Sequence, residues 1–461
     1  MKRRKSTKID TNGGLDMKKL LLLGCLLCFV GCTLKETVIE GTISSMTRNT
    51  MTVTAENEEY FFSTEDAEQE SIHGFLIGDI VQITYAGTYK KGIKVKKIEE
   101  IKRTQPNSSD QSTIPTTWLD HGVFSSFYEK AYQRLQTLTV EEKVGQLIFA
   151  RLPKTAVDEA ILKYHVGGFV LFRRDFELKT KEEIQSQLAA YQAWSKIPLL
   201  LATDEEGGTV VRVSSNPFLA SRPFASPQDV YQKGGMAGIE QDTLEKVLLL
   251  SELGLNVNLA PVADVSTSPS DFIYARSFGK SAKETAEYVR TVALTYHGKK
   301  FGFTLKHFPG YGNNQDTHTG IAIDNRSLEE FETTDFLPFE AGIEAGAPSI
   351  LVSHNIVKAM DLEMPASLSP NVHQRLRGEL GFTGVIMTDD LAMGAITEYT
   401  KGENPAVQAI LAGNDLLLTT DYVASYQAIR KAMSEGTISM EQIDHSVFRI
   451  LAWKEQLGLK K

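Results

Sequence analysis

The stretch Gly302-Phe303-Thr304-Leu305-Lys306-His307-Phe308-Pro309-Gly310-Tyr311-Gly312, followed by Asp316-Thr317-His318, runs from an apolar segment directly into a polar loop. A buried strand that ends in a cation, an imidazole and two glycines delivers reactive groups to the rim of a rigid sheet. Asp316 and His318 are two residues apart. A carboxylate at that distance can orient an imidazole and raise its basicity, which makes a proton shuttle near neutral pH.

The same pattern recurs on both sides of this stretch. Apolar runs at residues 146–150, 168–172, 199–203 and 257–260 precede 303–305, and runs at 349–353, 384–388 and 415–418 follow it. Amphipathic segments such as 181–194, 283–296 and 404–412 separate them. Continuous apolar strands belong to sheets buried on both faces. Eight of them alternating with helices over about 340 residues predict an α/β fold, a parallel (β/α)8 barrel of the TIM type. The alternative is a doubly wound open sheet, but no Gly-x-Gly-x-x-Gly follows the first strand, so a dinucleotide site is disfavoured.

Ahead of residue 118 the pattern differs. Residues 33–103 alternate short β-rich runs with turns, and Val81, Ile83 and Tyr85 share one face at period two. About five strands in this length suggest a small all-β barrel, either a spacer or a wall-binding module. Residues 104–117 are rich in Pro, Ser, Thr, Asn and Gln and are predicted to be a linker. The expected organisation is therefore a leader at 1–32, a small β domain at 33–103, a linker at 104–117 and the barrel at 118–461.

The leader speaks to compartment. Cys25, Cys28 and Cys32 are the only cysteines of the 461-residue chain. Lys18-Lys19 precede an apolar run from Leu20 to Val30, too short for an ordinary membrane span. A basic start, a short apolar core and Phe29-Val30-Gly31-Cys32 fit a bacterial lipoprotein signal, with Cys32 as the lipidated residue. Leu22-Leu23-Gly24-Cys25 is the cleaner local match but leaves too short an apolar core, and an uncleaved anchor is the plainer alternative. Asp10 and Asp16 interrupt the basic region, so Met17 is expected to be the true start. The body is expected to be disulfide-free and lipid-anchored on the extracellular face of the cytoplasmic membrane. Hydrophobic residues make up 42 % and charged residues 23 %, an ordinary globular composition, and the net charge is −9. Because residues 1–32 are net basic, the rest is more acidic still, which argues against a nucleic-acid partner.

In a (β/α)8 barrel the active site lies at the carboxyl ends of the strands. The polar residues expected there are Asp204, Glu205, Glu206 and Arg212 after the third strand, and Asp264, Asp271 and Arg276 after the fourth. Lys306, His307, Asp316 and His318 follow the fifth, His354 and Asn355 the sixth, and Asp389 and Asp390 the seventh. Such a lining of carboxylates, cations and imidazoles suits neutral diols and amides, and carbohydrate is the obvious class. No His/Cys/carboxylate set has metal-ligand spacing, so neither metal nor cofactor is expected.

Lys306-His307-Phe308-Pro309-Gly310-x-Gly312 with Asp316-Thr317-His318, and Val385-Ile386-Met387-Thr388-Asp389-Asp390-Leu391-x-Met393, resemble glycoside hydrolase family 3. They are most similar to its β-N-acetylglucosaminidase branch, whose members trim peptidoglycan fragments. Asp204-x-Glu206-Gly207-Gly208-x-Val210-x-Arg212, Asn258-Leu259-Ala260-Pro261-Val262-x-Asp264-Val265, Arg276-Ser277-Phe278 and Met364-Pro365-Ala366-x-Leu368-Ser369 are similar too, in the family's order over about residues 118–460. The resemblance implies a retaining mechanism. Asp389 would be the nucleophile and His318, oriented by Asp316, the acid/base. Asp204, Arg212, Arg276, Lys306 and His307 would bind the terminal sugar. The implied enzyme removes non-reducing GlcNAc from wall-derived muropeptides. A β-glucosidase or xylosidase of the same family, a GlcNAc phosphorylase, and a non-catalytic wall-binding lipoprotein are the alternatives. Tyr311 stands where this branch often has a second histidine, and Thr317 where it more commonly has Ser. Tyr311 is expected to alter the loop's packing and to bear on aglycone preference rather than on reaction class.

Overall fold

The computed structural model describes residues 35–47, 50–56, 58–65, 67–70, 75, 79–102, 114–317, 320–401 and 404–461. The leader with Cys32, most of the linker, and His318 lie outside the described residues.

The first β unit is built from β1 (Glu36–Met46), β2 (Thr50–Ala55), β3 (Glu58–Ser63), β4 (Glu68–Glu70), β5 (Ile80–Ala86) and β6 (Ile93–Lys102). Its strand order is β3-β2-β1-β5-β6-β4, and a β3–β6 pairing closes the first five into a ring. Most neighbours are antiparallel, as the short turns require, but the closing β3–β6 pair and the β4–β6 pair are parallel. In β5 burial alternates residue by residue, so Val81, Ile83 and Tyr85 point inward to Ile43, Val53, Phe62, Val95 and Ile98. The period-two pattern in the sequence is thus the inward face of a small closed barrel.

The larger unit is the expected parallel barrel. Its strands are β7 (Ile148–Arg151), β8 (Gly168–Leu171), β9 (Leu200–Thr203), β10 (Val257–Asn258) and β11 (Gly302–Phe308). After a short β12 (Ile323–Asp324) come β13 (Ser349–Val352), the short β14 (Ile356–Val357) that pairs with β12, then β15 (Val385–Thr388) and β16 (Leu417–Thr419). The order β15-β13-β11-β10-β9-β8-β7-β16, with a bridge between Met387 and Leu416, closes the ring. The strand bounds shift by one to three residues, most of all at the fifth, which runs on to Phe308. The first begins at Ile148 because the helix Val140–Gln146 runs up to it, and the last lies at 417–419 rather than 415–418.

Successive residues of each strand enter two different cores. Val170, Leu200, Ala202, Leu351, Val385 and Met387 pack into one; Phe169, Leu171, Leu201, Ile350, Val352 and Ile386 pack into the other. A strand buried on both faces must be apolar at every position, which is why these runs are continuous rather than alternating. The intervening helices start where the sequence supplies capping boxes, at Thr139/Glu142, Thr180/Glu183, Ser281/Glu284 and Ser439/Gln442. Ile114 and Trp118, at the end of the linker segment, are already buried in the barrel's core.

The β unit docks on the barrel face opposite the loops of interest. Thr50 donates from Oγ1 to the Glu344 carbonyl at 3.0 Å, and the Phe61 ring meets the His297 ring edge-on at 5.5 Å. Glu344 and His297 precede β13 and β11, so these contacts lie at the amino ends of the strands.

Candidate active site

At the carboxyl ends of β9 and β11 a connected set of charges is buried. Lys306 is 2 % exposed, and its ammonium lies 2.6 Å from Asp204 Oδ1 and 2.6 Å from Glu206 Oε1. Glu206 in turn accepts two hydrogen bonds from Arg276, from Nε at 3.0 Å and Nη2 at 2.8 Å. Arg212 reaches Asp204 at 3.9 Å from the other side. Burial alone would push the Glu206 carboxyl up and the Lys306 ammonium down. Arg276 and Lys306 outweigh it for Glu206, holding that carboxyl far below the usual range, and Asp204 and Glu206 outweigh it for Lys306, whose ammonium is raised. Glu206 and Lys306 are therefore both charged at neutral pH.

Asp204 and Arg212 keep partial access to solvent, whereas Glu206 is 1 % exposed. This splits the labour. Glu206 positions the cations, and Asp204 and Arg212 present polar atoms outward, where they can receive sugar hydroxyls. Glu206 stood in the quoted sequence motif but was not among the predicted binding residues. Its signal was the third carboxylate in Asp204-Glu205-Glu206, three positions beyond a strand end.

Glu205, fully buried, organises the loop. Its carboxylate accepts from the backbone N–H groups of Arg212, Val213 and Ser214 at 2.9, 2.7 and 3.2 Å, and from the Ser214 hydroxyl. That fixes where Arg212 leaves the chain. Gly207 is required in the same loop. Its φ is +101°, and a Cβ there would lie 2.1 Å from the Ala225 carbonyl oxygen.

His307 is 4 % exposed and is held at both ring nitrogens. Nδ1 pairs with Asp264 Oδ2 at 2.7 Å and Nε2 lies 3.2 Å from Arg276 Nη2. With a cation at Nε2 and a carboxylate at Nδ1, the tautomer that satisfies both carries its proton on Nδ1 and accepts at Nε2. The other Asp264 oxygen accepts from Tyr311 N at 2.8 Å. Asp264 thus joins His307 to the loop beyond it.

β11 continues through Phe308, so Lys306 and His307 are strand residues and are held more rigidly than loop residues would be. One strand pair away, Asp389 follows β15. Its N–H donates to the Val352 carbonyl at 3.0 Å and its Oδ1 accepts from Asp390 N at 2.8 Å. It remains partly exposed. The next helix begins only at Gly394, so neither aspartate is a helix cap. Asp390 instead accepts from Ala392 N and Thr420 Oγ1. His354 is buried and bridges Ser367 Oγ at 2.7 Å and the Asp390 carbonyl at 3.0 Å, which makes it a brace behind Asp389–Asp390. Asp316 is described and half-buried; Thr317 beside it is fully buried.

A cluster of this composition, at the carboxyl rim of a (β/α)8 barrel, coincides with a family match. Residues 139–453 match the glycosyl hydrolase family 3 N-terminal domain. The chain belongs to glycoside hydrolase family 3. It is a glycoside hydrolase with β-hexosaminidases among its relatives. It is 35 % identical over 235 residues to a β-hexosaminidase of Xanthomonas axonopodis pv. citri, covering 50 % of this chain and 69 % of that one. It is likewise 35 % identical over 260 residues to a β-hexosaminidase of Stenotrophomonas maltophilia, covering 55 % and 76 %. Among solved structures, a family 3 β-N-acetylglucosaminidase from Paenibacillus sp. superposes with a TM-score of 0.65 at 32 % identity. That match covers 70 % of this chain and 63 % of the Paenibacillus chain.

Proposed function

We propose that this family 3 hydrolase is an exo-acting, retaining β-N-acetylglucosaminidase that releases terminal GlcNAc from peptidoglycan fragments. The observation that carries the reading is the Asp204–Lys306–Glu206–Arg276–His307 cluster beside Asp389: a rigid grip for one sugar ring, with a partly exposed carboxylate at the next strand end but one. Fixed charged donors and acceptors in a partly desolvated pocket hold a sugar's hydroxyls and tighten as oxocarbenium character develops.

In this mechanism Asp389 attacks the anomeric carbon and the C–O bond to the aglycone breaks. His318, oriented by Asp316, protonates the departing oxygen. It then takes a proton from the incoming water, which displaces Asp389 and returns the sugar with its original anomeric configuration. An imidazole's ordinary pKa of about 6.5 suits both halves of that cycle. The substrate reaches the enzyme outside the cell, where Cys32 carries the lipid that anchors it. The reading of residues 18–32 as a lipoprotein signal supports this location.

The direct test compares hydrolysis of 4-nitrophenyl β-N-acetylglucosaminide with that of the β-glucoside. Preference for the acetamido sugar, abolished in Asp389→Ala and strongly reduced in His318→Ala, supports the assignment. Equal rates on the two sugars, or wild-type activity after either substitution, contradicts it. For the anchor, labelled palmitate incorporated into the wild type and lost in Cys32→Ala is the expected result, and labelling of Cys32→Ala overturns it.

A further inference from the structure

Tyr311 is among the largest fully buried side chains of the protein, at 1 % exposure, and each part of it is held. Its N–H donates to Asp264 Oδ1 at 2.8 Å. Its ring packs edge-on against His307 at 5.2 Å and against Phe272 at 5.7 Å, with Val262 and Ile273 completing an apolar pocket. Its hydroxyl lies 2.6 Å from Thr317 Oγ1, a side chain with no exposure. A buried phenol needs a hydrogen-bond partner, and so does a buried threonine hydroxyl; here each is the other's. The Thr317 carbonyl is also bound, accepting from Ala395 N at 3.2 Å on the segment that follows Asp389.

We propose that Tyr311 and Thr317 form a clasp that positions the Asp316–His318 dyad. Thr317 is joined by peptide bonds to both dyad residues. Its side chain is thus fixed to the β11 loop and its carbonyl to the segment that follows Asp389, so the residue between the dyad's two members is held from both sides. Asp264 completes the linkage, because one carboxylate binds both His307 and the Tyr311 N–H. His307, Asp264, Tyr311 and Thr317 thus form a single connected series of contacts. Tyr311 touches neither the substrate nor a reacting atom. It is a positioning residue, and its role rests on the assignment of His318 as acid/base.

A clasp acting through the proton donor makes a prediction that simple structural support does not. The value of kcat/KM reports the step that expels the aglycone, and protonation matters most when the aglycone is a poor leaving group. The experiment measures kcat/KM for a series of aryl β-N-acetylglucosaminides from 2,4-dinitrophenyl to phenyl, with the wild type, Tyr311→Phe, Thr317→Val, Thr317→Ser and the Phe/Val double variant. Tyr311→Phe keeps the ring in its apolar pocket and removes only the hydroxyl. It is expected to lose about tenfold more on the phenyl than on the dinitrophenyl substrate, since small misplacements of a catalytic group cost about that much or more. Thr317→Val should behave the same way, the double variant no worse than either single, and Thr317→Ser close to the wild type. A loss equal across the series, additive losses in the double variant, or no loss at all overturns the clasp and leaves the functional reading intact. A wild type that hydrolyses none of the series contradicts both.

Discussion

Glu206 grips Arg276 in the two-toothed manner of a carboxylate facing a guanidinium, with both contacts at or below 3.0 Å, and the carboxylate is 1 % exposed. The pair spans 70 residues of sequence and ties the loop after β9 to the loop after β10. The same carboxylate holds Lys306, so one acid fixes two of the predicted sugar ligands.

Removing that charge leaves two buried cations short of a partner. Breaking one side of a buried pair costs about 3–5 kcal/mol. Glu206→Gln, which keeps the shape, is expected to fall in that range by urea unfolding, and to raise KM because Lys306 and Arg276 lose their fixed positions. Wild-type stability together with wild-type KM contradicts the role assigned to Glu206.

Asp264 sets the orientation and tautomer of His307 through its 2.7 Å contact with Nδ1. In Asp264→Asn the charge that favours the Nδ1 proton is gone, and an amide must face both His307 and the Tyr311 N–H. Binding of the sugar should weaken by about tenfold, the scale of one charge-assisted hydrogen bond. An inhibition constant for free GlcNAc measures this, and an unchanged value excludes the linkage.

A pH signature comes from Asp335. It is 1 % exposed, accepts from Arg326 Nη1 at 2.7 Å, and its Oδ1 has no hydrogen-bond partner among the described residues. It supports the turn at Gly310, where a Cβ would lie 2.2 Å from that oxygen. Burial pushes its carboxyl up to about 6, more than Arg326 pulls it down. A raised folded-state pKa means the acid form is the one folding favours. Its stabilising contribution is full below the ordinary value of 3.8 and is lost as pH rises through about 6. Measured against Asp335→Asn, the wild type should lose relative thermal stability between pH 4 and pH 6. A relative gain over that window contradicts the assignment.

The β unit's placement predicts independence from catalysis. Phe62 is fully buried in its core, and Phe→Ala there should cost about 3–5 kcal/mol. Because the unit docks at the amino ends of the barrel strands, kcat/KM should stay at the wild-type value while an added low-temperature unfolding transition appears. A matching fall in kcat/KM contradicts that separation.

The barrel was legible because a strand buried on both faces must be apolar throughout. Every one of the eight runs reappears as a barrel strand, with ends shifted by up to three residues, the largest at β11, which runs on through Phe308. The position of Asp389 after β15 and of Asp204, Lys306 and His307 at the neighbouring rim followed from the same rule. What was hidden are the residues whose role is to hold others. Glu206, Glu205 and Asp264 look in sequence like any rim carboxylates, and only three-dimensional proximity reveals that they bind cations, backbone N–H groups and an imidazole. Tyr311 and Thr317 both stand out in the sequence, yet their contact cannot be read from a six-residue separation in a loop. His354, placed on the rim by sequence, turns out to brace the backbone behind Asp390.

The nucleophile is identified by the residue that becomes covalently attached to the sugar. Incubation with a 5-fluoro-N-acetylglucosaminyl fluoride, followed by peptide mass mapping, traps the glycosyl-enzyme of a retaining hydrolase. One added sugar is expected, on the peptide containing Asp389 and absent from Asp389→Ala. A sugar attached to a different residue, or active enzyme that turns the reagent over and releases the inverted anomer with no adduct, would contradict it.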